Sequence, residues 1–521
     1  MAEGLIRMVK PNIVLPSLKD NTADTDRVIK ALKKCLAVDS IHVELSLIKE
    51  LPYKLRENNY QICACIFQAN KITELIDVYP EKSVDVYGIA VDLGSSTIVM
   101  ELIRLSDLKK IDEAVFRNPQ IEIGADILSR IHYASKPEGL KRLQDMLVDE
   151  MNRNIAKLCD KHGIPLDLIV GISVAGNTSM THLFLGLTPY WICREPYIPV
   201  INKFERPLKA WEVGLKANQR AVLIVFPNVG SYFGGDLIAG ILASGMARQN
   251  KQICMLVDVG TNAEVVLGNG DWLIGCAGAA GPALEGGVAD IGMMAGPGVI
   301  DKVKIDPETL EIEYHTIDEL PPIGICGSGL IDLVAQMFIA GMIDIRGKFV
   351  PERCGNRLVE KDGIMYFIIV PAEESGTGED LTLSQADIDS LIRSKAAMYT
   401  ILTTIINTVN LSFRDIGKFY IAGTFGSYIN PRSAITIGMI PDLPLDTYVV
   451  LGNTSIKGAE LIFKSKEYYE EMLKIRDMIT YIELNVNQEF MQLFSASKFI
   501  PHTDRSLFPS VKQYNENKAN K

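Results

Sequence analysis

Two copies of one short pattern constrain the fold of this chain more than any other feature. An apolar run, an aspartate, any residue, a glycine, a small polar cluster and a second apolar run occur in this order at 88–101 and again at 254–267. The two aspartates, Asp92 and Asp258, are far enough apart in the chain for a set of strands and helices to follow each. An internal duplication of one α/β half is the simplest explanation.

Each copy of the pattern predicts a turn that binds phosphate. A strand that ends in Asp-x-Gly and returns into a second strand brings backbone N–H groups and hydroxyls around an anion, and glycine lets the phosphate approach the backbone. Aspartate repels phosphate, so its expected role is to hold Mg²⁺ through water. Either turn alone is equally well explained as a glycine-containing hairpin, but the repeated pair favours a polyphosphate site. The predicted site residues are Asp92, Gly94, Ser95, Ser96, Thr97, Asp258, Gly260, Thr261 and Asn262.

Two more glycine-rich segments have less specific patterns. At the end of an apolar strand, Gly423, Thr424, Phe425 and Gly426 are predicted to contact the base and ribose of a nucleotide. The segment 326–329, Cys-Gly-Ser-Gly, opens a helical pattern in which close packing is a better explanation than a hinge. A short echo, Gly-Asn-Thr-Ser at 176–179 and 452–455, supports the duplication weakly.

The chain is predicted to divide into three parts. The first part, residues 1–85, has strand-like runs at 13–15, 41–47 and 60–67 and one helical stretch at 25–36 with cap-type residues before it. A charged segment then leads into the strand before Asp92, which predicts the first boundary. The remaining chain forms the two halves, 86–250 and 251–521, and its C-terminal tail is polar.

Composition excludes several function classes. The formal net charge of −11 gives no broad positive field, so nucleic-acid binding is not expected. Apolar runs have strand length, far below the roughly 20 residues of a membrane-spanning helix, and no signal peptide pattern opens the chain, so no membrane contact and a cytoplasmic location are predicted. The nine cysteines are dispersed, with Cys63 and Cys65 as the one close pair, which predicts reduced thiols and no iron-sulfur cluster on this chain.

Six segments, taken in order, resemble a known family. They are NPQIEIGADILSRI (118–131), GNTSMTH (176–182), PNVGSYFGGD (227–236), DVGTNAE (258–264), GPALEG (281–286) and IAGTFG (421–426). Their order is similar to that in the superfamily of acetate and sugar kinases, heat-shock chaperone ATPases and actin. A closer resemblance, over nearly the whole chain, is to the reductive activators of corrinoid-dependent enzymes.

The resemblance implies an α/β fold of duplicated actin-like (ribonuclease H-like) ATPase lobes with a small N-terminal α/β domain. It implies ATP-dependent reduction of a Co(II) corrinoid to Co(I) on a separate corrinoid protein that works with a methyltransferase. Because this reduction is uphill for ordinary cellular donors, ATP must favour a state of the complex in which it is easier. ATP and Mg²⁺ are the expected cofactors, and a homodimer is an expectation from the family alone.

The resemblance also assigns roles to individual residues. Asp92–Thr97 and Asp258–Asn262 correspond to the phosphate and Mg²⁺ turns, and Gly423–Gly426 to the adenosine contact. Glu264 and Glu285 lie near these segments in the sequence, so either could position the attacking water, while a structural hydrogen bond is the more common role of such a residue. A packed side chain is the better explanation for His182, which follows Asn177 and Thr178, and contact with the corrinoid partner is the alternative.

One departure from the family affects the source of electrons. Many members begin with a ferredoxin-like domain that carries a [2Fe-2S] cluster, and this chain starts near the point where such a domain would end. Three explanations are open: the electron-delivering domain lies on another polypeptide, this sequence is a shortened form of a longer chain, or the protein has lost the redox step. For an active protein, a separate electron donor is the expectation. Two other functions remain open: a small-molecule kinase of the same superfamily, and a nucleotide-dependent assembly protein that acts on a partner without electron transfer.

Overall fold

The structure is a computed structural model, and it describes residues 4–69, 72–81, 84–231, 233–249, 251–259, 262–279, 288–423, 429–482 and 490–513. The chain packs into two compact units. The first consists of Met1–Ala243 and Thr454–Ile479, and the second of Ser244–Asn453 and Thr480–Lys521. The boundaries 1–85, 86–250 and 251–521 remain a prediction about separately folding parts, which packing does not test.

The first unit begins with a small α/β domain, whose four-stranded sheet has the order β1-β3-β4-β2. Its elements are β1 (Ile6–Val9), α1 (Asp24–Leu36), β2 (His42–Val43), α2 (Leu45–Glu57), β3 (Ile62–Ala69) and β4 (Ile72–Pro80). Val28 and Leu32 of α1 share a buried core with Leu51 and Leu55 of α2. The helix at 25–36 is confirmed, and the strand predicted at 13–15 is wrong. The strand predicted at 41–47 is shortened to β2, since α2 begins at Leu45. Pro52 inside α2 weakens its local helix pattern.

The rest of the first unit is built on a six-stranded sheet of order β7-β6-β5-β8-β10-β9. All eight residues of its central strand β8 are buried, as expected for a strand covered on both faces. The elements are β5 (Tyr87–Leu93), β6 (Thr97–Arg104), β7 (Lys109–Arg117), α3 (Ile127–Tyr133), α4 (Pro137–His162), β8 (Ile169–Gly176), α5 (Thr178–Leu185), β9 (Leu208–Lys209), β10 (Val222–Val225) and α6 (Gly235–Ser244).

The second unit contains a six-stranded sheet of order β21-β20-β11-β12-β13-β22 and two three-stranded sheets, β15-β14-β16 and β17-β18-β19. Two helices that follow these sheets in the chain, α11 (Thr454–Lys464) and α12 (Lys466–Met478), belong to the first unit. There, Phe463 of α11 packs against Gly88 and Gly171. The elements are β11 (Ile253–Val259), β12 (Asn262–Gly268), β13 (Leu273–Ala279), β14 (Val299–Ile305), β15 (Ile312–Thr316), β16 (Gly324–Ile325), α7 (Gly327–Ile339), α8 (Pro351–Cys354), β17 (Leu358–Lys361), β18 (Ile364–Val370), β19 (Leu381–Ser384), α9 (Gln385–Thr408), β20 (Ile416–Ala422), α10 (Pro431–Thr436), β21 (Tyr448–Gly452), α11 (Thr454–Lys464), α12 (Lys466–Met478), β22 (Ile479–Tyr481) and α13 (Phe490–Ser497).

The two six-stranded sheets share one plan. In each, three consecutive strands form an antiparallel meander, the first strand pairs in parallel with a fourth, and the fourth with a fifth. Asp92 lies beside Ala175 of β8, and Asp258 lies beside Ala422 of β20, in the same relative position. The duplicated α/β fold is confirmed. The Gly-Asn-Thr-Ser echo is not part of it, because 176–179 follows the fourth strand of one half and 452–455 the fifth strand of the other.

The start of α7 confirms that close packing explains the small residues at 326–329. A Cβ atom on Gly329 would lie 2.5 Å from the carbonyl oxygen of Ile300 on β14. The backbone N–H of Cys326 donates to the same oxygen at 3.0 Å. Glycine therefore lets the first turn of the helix lie directly on the strand.

A group of charged and polar side chains joins the small domain to the first six-stranded sheet. Arg220 donates through Nε to Ile76 O at 2.7 Å and through Nη2 to Asp77 Oδ2 at 2.8 Å. Asn218 donates to the same carboxylate at 2.9 Å, and Lys54 to its other oxygen at 2.5 Å. Both Arg220 and Asp77 are buried. We call this group the charged clamp; its members are Glu50, Lys54, Glu74, Asp77, Lys209, Asn218 and Arg220.

The cysteines differ in accessibility. Cys35 on α1 is exposed, Cys63 and Cys193 are partly buried, and the other six are buried. Burial raises the pKa of three of these thiols to about 11, those of Cys159, Cys254 and Cys354. Within the described residues, no group of three or more His, Cys, Asp or Glu side chains is arranged to hold a metal ion.

In the described part of the chain, none of the helices combines the length and the apolar character needed to cross a membrane.

Candidate nucleotide site

The first predicted phosphate turn connects β5 to β6 and is tight. A Cβ atom on Gly94 would lie 2.2 Å from the backbone oxygen of Thr97, so a side chain there would force the turn open. Ser96 is exposed, while Asp92, Ser95 and Thr97 are partly buried. The turn therefore brings together all the predicted residues of the first half, with polar side chains accessible to a ligand.

A second carboxylate, Asp236, lies beside this turn and was missed from the sequence. It is the second residue of α6, and the Leu237 N–H donates to its Oδ1 at 2.9 Å. Burial raises the pKa of Asp236 to about 7, and the charge of Asp92 adds to the effect. A Cβ atom on Gly234 would lie 2.6 Å from Asp236 Oδ1 and 2.4 Å from Asn177 Cα, so the carboxylate lies against the end of β8. The sequence signal that could have revealed Asp236 is the pair of glycines, Gly234 and Gly235, before an aspartate at the start of a helix.

His182 is a packed residue, and the alternative that it faces a partner is wrong. The side chain is fully buried, and its Nδ1 donates to Thr178 O at 2.7 Å while its Nε2 accepts from Val200 N at 3.0 Å. Burial lowers its pKa, which keeps the ring neutral. Asn177 caps α5 by accepting from Met180 N at 2.9 Å, and the Thr178 hydroxyl donates to Gly230 O at 3.0 Å. These three residues therefore form hydrogen bonds within the protein directly after the end of β8.

In the second unit, Asp258, Glu264 and Gly423 lie together. Asp258 and Glu264 are direct partners across β11 and β12, so their side chains share one face of the sheet. Gly423 has a φ of 89°, and a Cβ atom on it would lie 2.7 Å from Asp258 Oδ1. Glycine is required there for both conformation and space.

Several predicted residues of the second unit lie outside the described part of the chain. They are Gly260, Thr261, Glu285, Thr424, Phe425 and Gly426. For Asn262, the backbone forms the first residue of β12 and the side chain is outside that part.

In both units, a second carboxylate lies near the aspartate that ends the first strand. Asp236 accompanies Asp92, and Glu264 accompanies Asp258. Two neighbouring carboxylates repel each other unless a proton or a cation lies between them, and oxygen ligands of this kind suit Mg²⁺. In the first unit, the tight turn at Gly94 leaves room for phosphate at the same place. The residues present therefore fit a magnesium nucleotide.

Three family profiles match successive parts of the chain. Residues 3–84 match the "RACo linker region", 87–249 the "RACo middle region", and 252–512 the "C-terminal domain of RACo the ASKHA domain". The chain belongs to the RACo family. The predicted resemblance to reductive activators is thereby confirmed, and the second half of this RACo-family protein is an ASKHA domain, the fold class of the nucleotide-binding superfamily named above.

Related RACo-family proteins extend over most of the chain. A solved structure titled "Reductive activator for corrinoid,iron-sulfur protein" is 37% identical, with a TM-score of 0.89 over 98% of this chain and 81% of that one. "Corrinoid activation enzyme RamQ" of Eubacterium limosum is 31% identical over 87% of this chain and 76% of RamQ. "[Co(II) methylated amine-specific corrinoid protein] reductase" of Methanosarcina barkeri is 24% identical over 76% of this chain and 73% of that protein.

Proposed function

We propose that this RACo-family chain is an ATP-dependent enzyme that reduces the Co(II) of a corrinoid protein to Co(I) and so supports a methyltransferase system. The observation that carries the proposal is the match, over 98% of the chain with a TM-score of 0.89, to a structure titled as a reductive activator. Relatives named as a corrinoid activation enzyme and a corrinoid protein reductase support it.

The reduction adds one electron to Co(II) and requires a one-electron donor of low potential. This donor is a separate molecule in our proposal, because no iron-sulfur ligands are predicted in the chain. The corrinoid protein is the substrate. ATP can assist only if the nucleotide-bound protein binds the corrinoid protein differently in the state that accepts the electron.

Each half carries its own residues that would hold part of a nucleotide. In the first half, the backbone N–H groups and hydroxyls of 94–97 would bind phosphate, and Asp92 would hold Mg²⁺. In the second half, Asp258 would take the same role, and Gly423–Gly426 would contact adenosine. Bound Mg-ATP supplies a phosphoanhydride bond whose hydrolysis releases free energy. Asp236, Glu264 and Glu285 are the carboxylates proposed to orient the attacking water.

Asp236 is the carboxylate that lies beside Asp92, which is proposed to hold the metal. Burial and the charge of Asp92 raise its pKa when no cation is present, so the side chain is able to carry a proton at this place. Asp236 is therefore our first choice for the general base.

The test is an anaerobic mixture of the purified protein, a Co(II) corrinoid protein, a low-potential chemical reductant and Mg-ATP. The Co(I) absorption band should appear with ATP and be absent without it. The Asp258→Ala variant is the matched control and should give little Co(I). If no corrinoid protein responds to ATP, while a metabolite becomes phosphorylated in a screen, the small-molecule kinase replaces our proposal. ATP-dependent binding without reduction would instead support the assembly protein.

A further inference from the structure

The segment 118–131 carries part of the family resemblance, but no role has been assigned to it. It forms a turn of 3-10 helix at Pro119–Glu122 and then α3. Two of its side chains are among the most buried polar groups in the chain: Asn118 is 1% exposed and Arg130 is 0% exposed. Both contact the backbone of the first phosphate turn.

These two residues bind all three carbonyl groups of the turn. Asn118 Nδ2 donates to Gly94 O at 3.0 Å, and the backbone N–H of Asn118 donates to Ser96 O at 2.8 Å. Between them, Arg130 Nη1 donates to Ser95 O at 2.7 Å. The three carbonyl oxygens are therefore held on the side of the turn that faces this segment.

The orientation of the carbonyls determines the orientation of the N–H groups. In a trans peptide the N–H points opposite to the C=O of the same unit. Holding the carbonyls of Gly94 and Ser95 therefore directs the N–H groups of Ser95 and Ser96 to the opposite side. Neither N–H donates to another group within the part of the chain that the structure describes. Two adjacent backbone donors that point away from the protein form a concave site for an anion.

Arg130 also places a positive charge behind the turn. Its Nε donates to Gly124 O at 2.8 Å, and within the described residues its Nη2 has no hydrogen-bond partner and no carboxylate forms an ion pair with it. Burial lowers the pKa of this guanidinium, although the charge of Asp126 partly opposes the effect. A buried cation without a counter-ion is costly, and an anion bound at the turn would offset that cost.

We infer that Asn118 and Arg130 are positioning residues of the first phosphate turn, and that Arg130 gives the turn its preference for a nucleoside di- or triphosphate over an uncharged nucleoside. Asn118 and Arg130 together hold the backbone so that its donors face the ligand. The positive charge of Arg130 then favours the phosphate groups. The inference rests on the proposed function only in that the ligand is a nucleotide.

The test compares Arg130→Met with Arg220→Met in the full chain. Both replace a buried guanidinium by an uncharged, unbranched side chain, but Arg220 belongs to the charged clamp and has carboxylate partners. Displacement of a fluorescent ATP analogue by ATP, ADP and adenosine gives three dissociation constants, and thermal unfolding reports the fold. Methionine removes the charge and leaves Gly124 O and Ser95 O without their donor. Arg130→Met should therefore weaken ATP and ADP binding about tenfold or more, with adenosine changed less than about twofold.

The control and the second variant make the result decisive. Arg220→Met should lower the melting temperature and leave the ratio of ATP to adenosine affinity unchanged. Asn118→Ala, which keeps Arg130, should weaken ATP and ADP binding severalfold and supplies the answer if Arg130→Met does not fold. The inference is overturned if a folded variant binds ATP as the wild type does, or if adenosine weakens by the same factor as ATP. Failure of the wild type to bind ATP at all would overturn the proposed function itself.

Discussion

Replacing Arg220 by methionine should destabilise the first unit by about 3 kcal/mol, because it removes the central cation of the charged clamp. Arg220 and Asp77 are 3% and 5% exposed, so the change leaves a carboxylate buried without its closest charge partner. Breaking a buried pair in this way costs about 3–5 kcal/mol. The lower end applies here, since Lys54 and Asn218 still donate to Asp77.

Thermal and denaturant unfolding measure the effect. For a unit of this size a loss of about 3 kcal/mol corresponds to a fall in melting temperature of roughly 6 °C. The control is Lys161→Met, which breaks the Lys161–Asp112 pair at the surface, where lysine is 67% exposed, and it should cost less than about 1 kcal/mol. The double variant Asp77→Asn, Arg220→Met should recover much of the loss, because no charge remains buried without a partner.

The loss should also depend on pH. Burial alone would raise the pKa of Asp77, but hydrogen bonds from Lys54 and Asn218 and the charge of Arg220 outweigh burial and lower it. The stabilisation from ionised Asp77 is therefore present above the pKa of an unfolded aspartate, near 3.9, and is lost as the pH falls through the lower folded value. The penalty of Arg220→Met should shrink below about pH 4. A penalty that equals that of Lys161→Met at neutral pH, or that does not change in acid, would refute this account of the clamp.

Three further changes test the site and the second unit. Asp236→Asn should lower ATP turnover at least about 100-fold and change ATP affinity by less than about tenfold, and equal losses in both would rule Asp236 out as the base. Asp258→Ala should weaken Mg²⁺-dependent ATP turnover and leave the melting temperature unchanged; normal turnover would remove Asp258 from the site. Lys395 is fully buried, donates to Phe499 O and Pro501 O, and has a pKa that burial lowers well below its usual value. Since charging it opposes folding, wild-type stability relative to Lys395→Met should rise from pH 7 to pH 10, and a flat difference in unfolding free energy would contradict this.

The parts of the fold that depend on local pattern were predictable from the sequence. The strands before Asp92 and Asp258 are continuous apolar runs followed by a glycine turn, and such runs are read reliably because central strands are buried on both faces. The repetition of this strand-and-turn pattern predicted two sheets with the same topology. The helix α2 was missed because Pro52 lies inside it and the preceding residues alternate as in a strand.

The parts of the site that depend on distant contacts could not be predicted. Asp236 follows Asp92 by more than a hundred positions and reaches it because β8 lies between β5 and β10, an order that no local pattern encodes. The contact of Arg130 could not be predicted either, because Arg130 lies on α3 and its partner Ser95 lies in the turn between β5 and β6. For His182, the sequence favoured a packed side chain and this is confirmed, but its partners Thr178 O and Val200 N could not be named from the sequence.

The single exposed thiol offers a practical route to following this protein at work. At neutral pH a maleimide-linked fluorophore or spin label should react first at Cys35, since the other cysteines are partly or fully buried. The charged clamp fastens the small domain that carries Cys35 to the first six-stranded sheet. A probe on Cys35 therefore reports the position of the first six-stranded sheet, and its distance to a labelled corrinoid protein can be followed by single-molecule fluorescence.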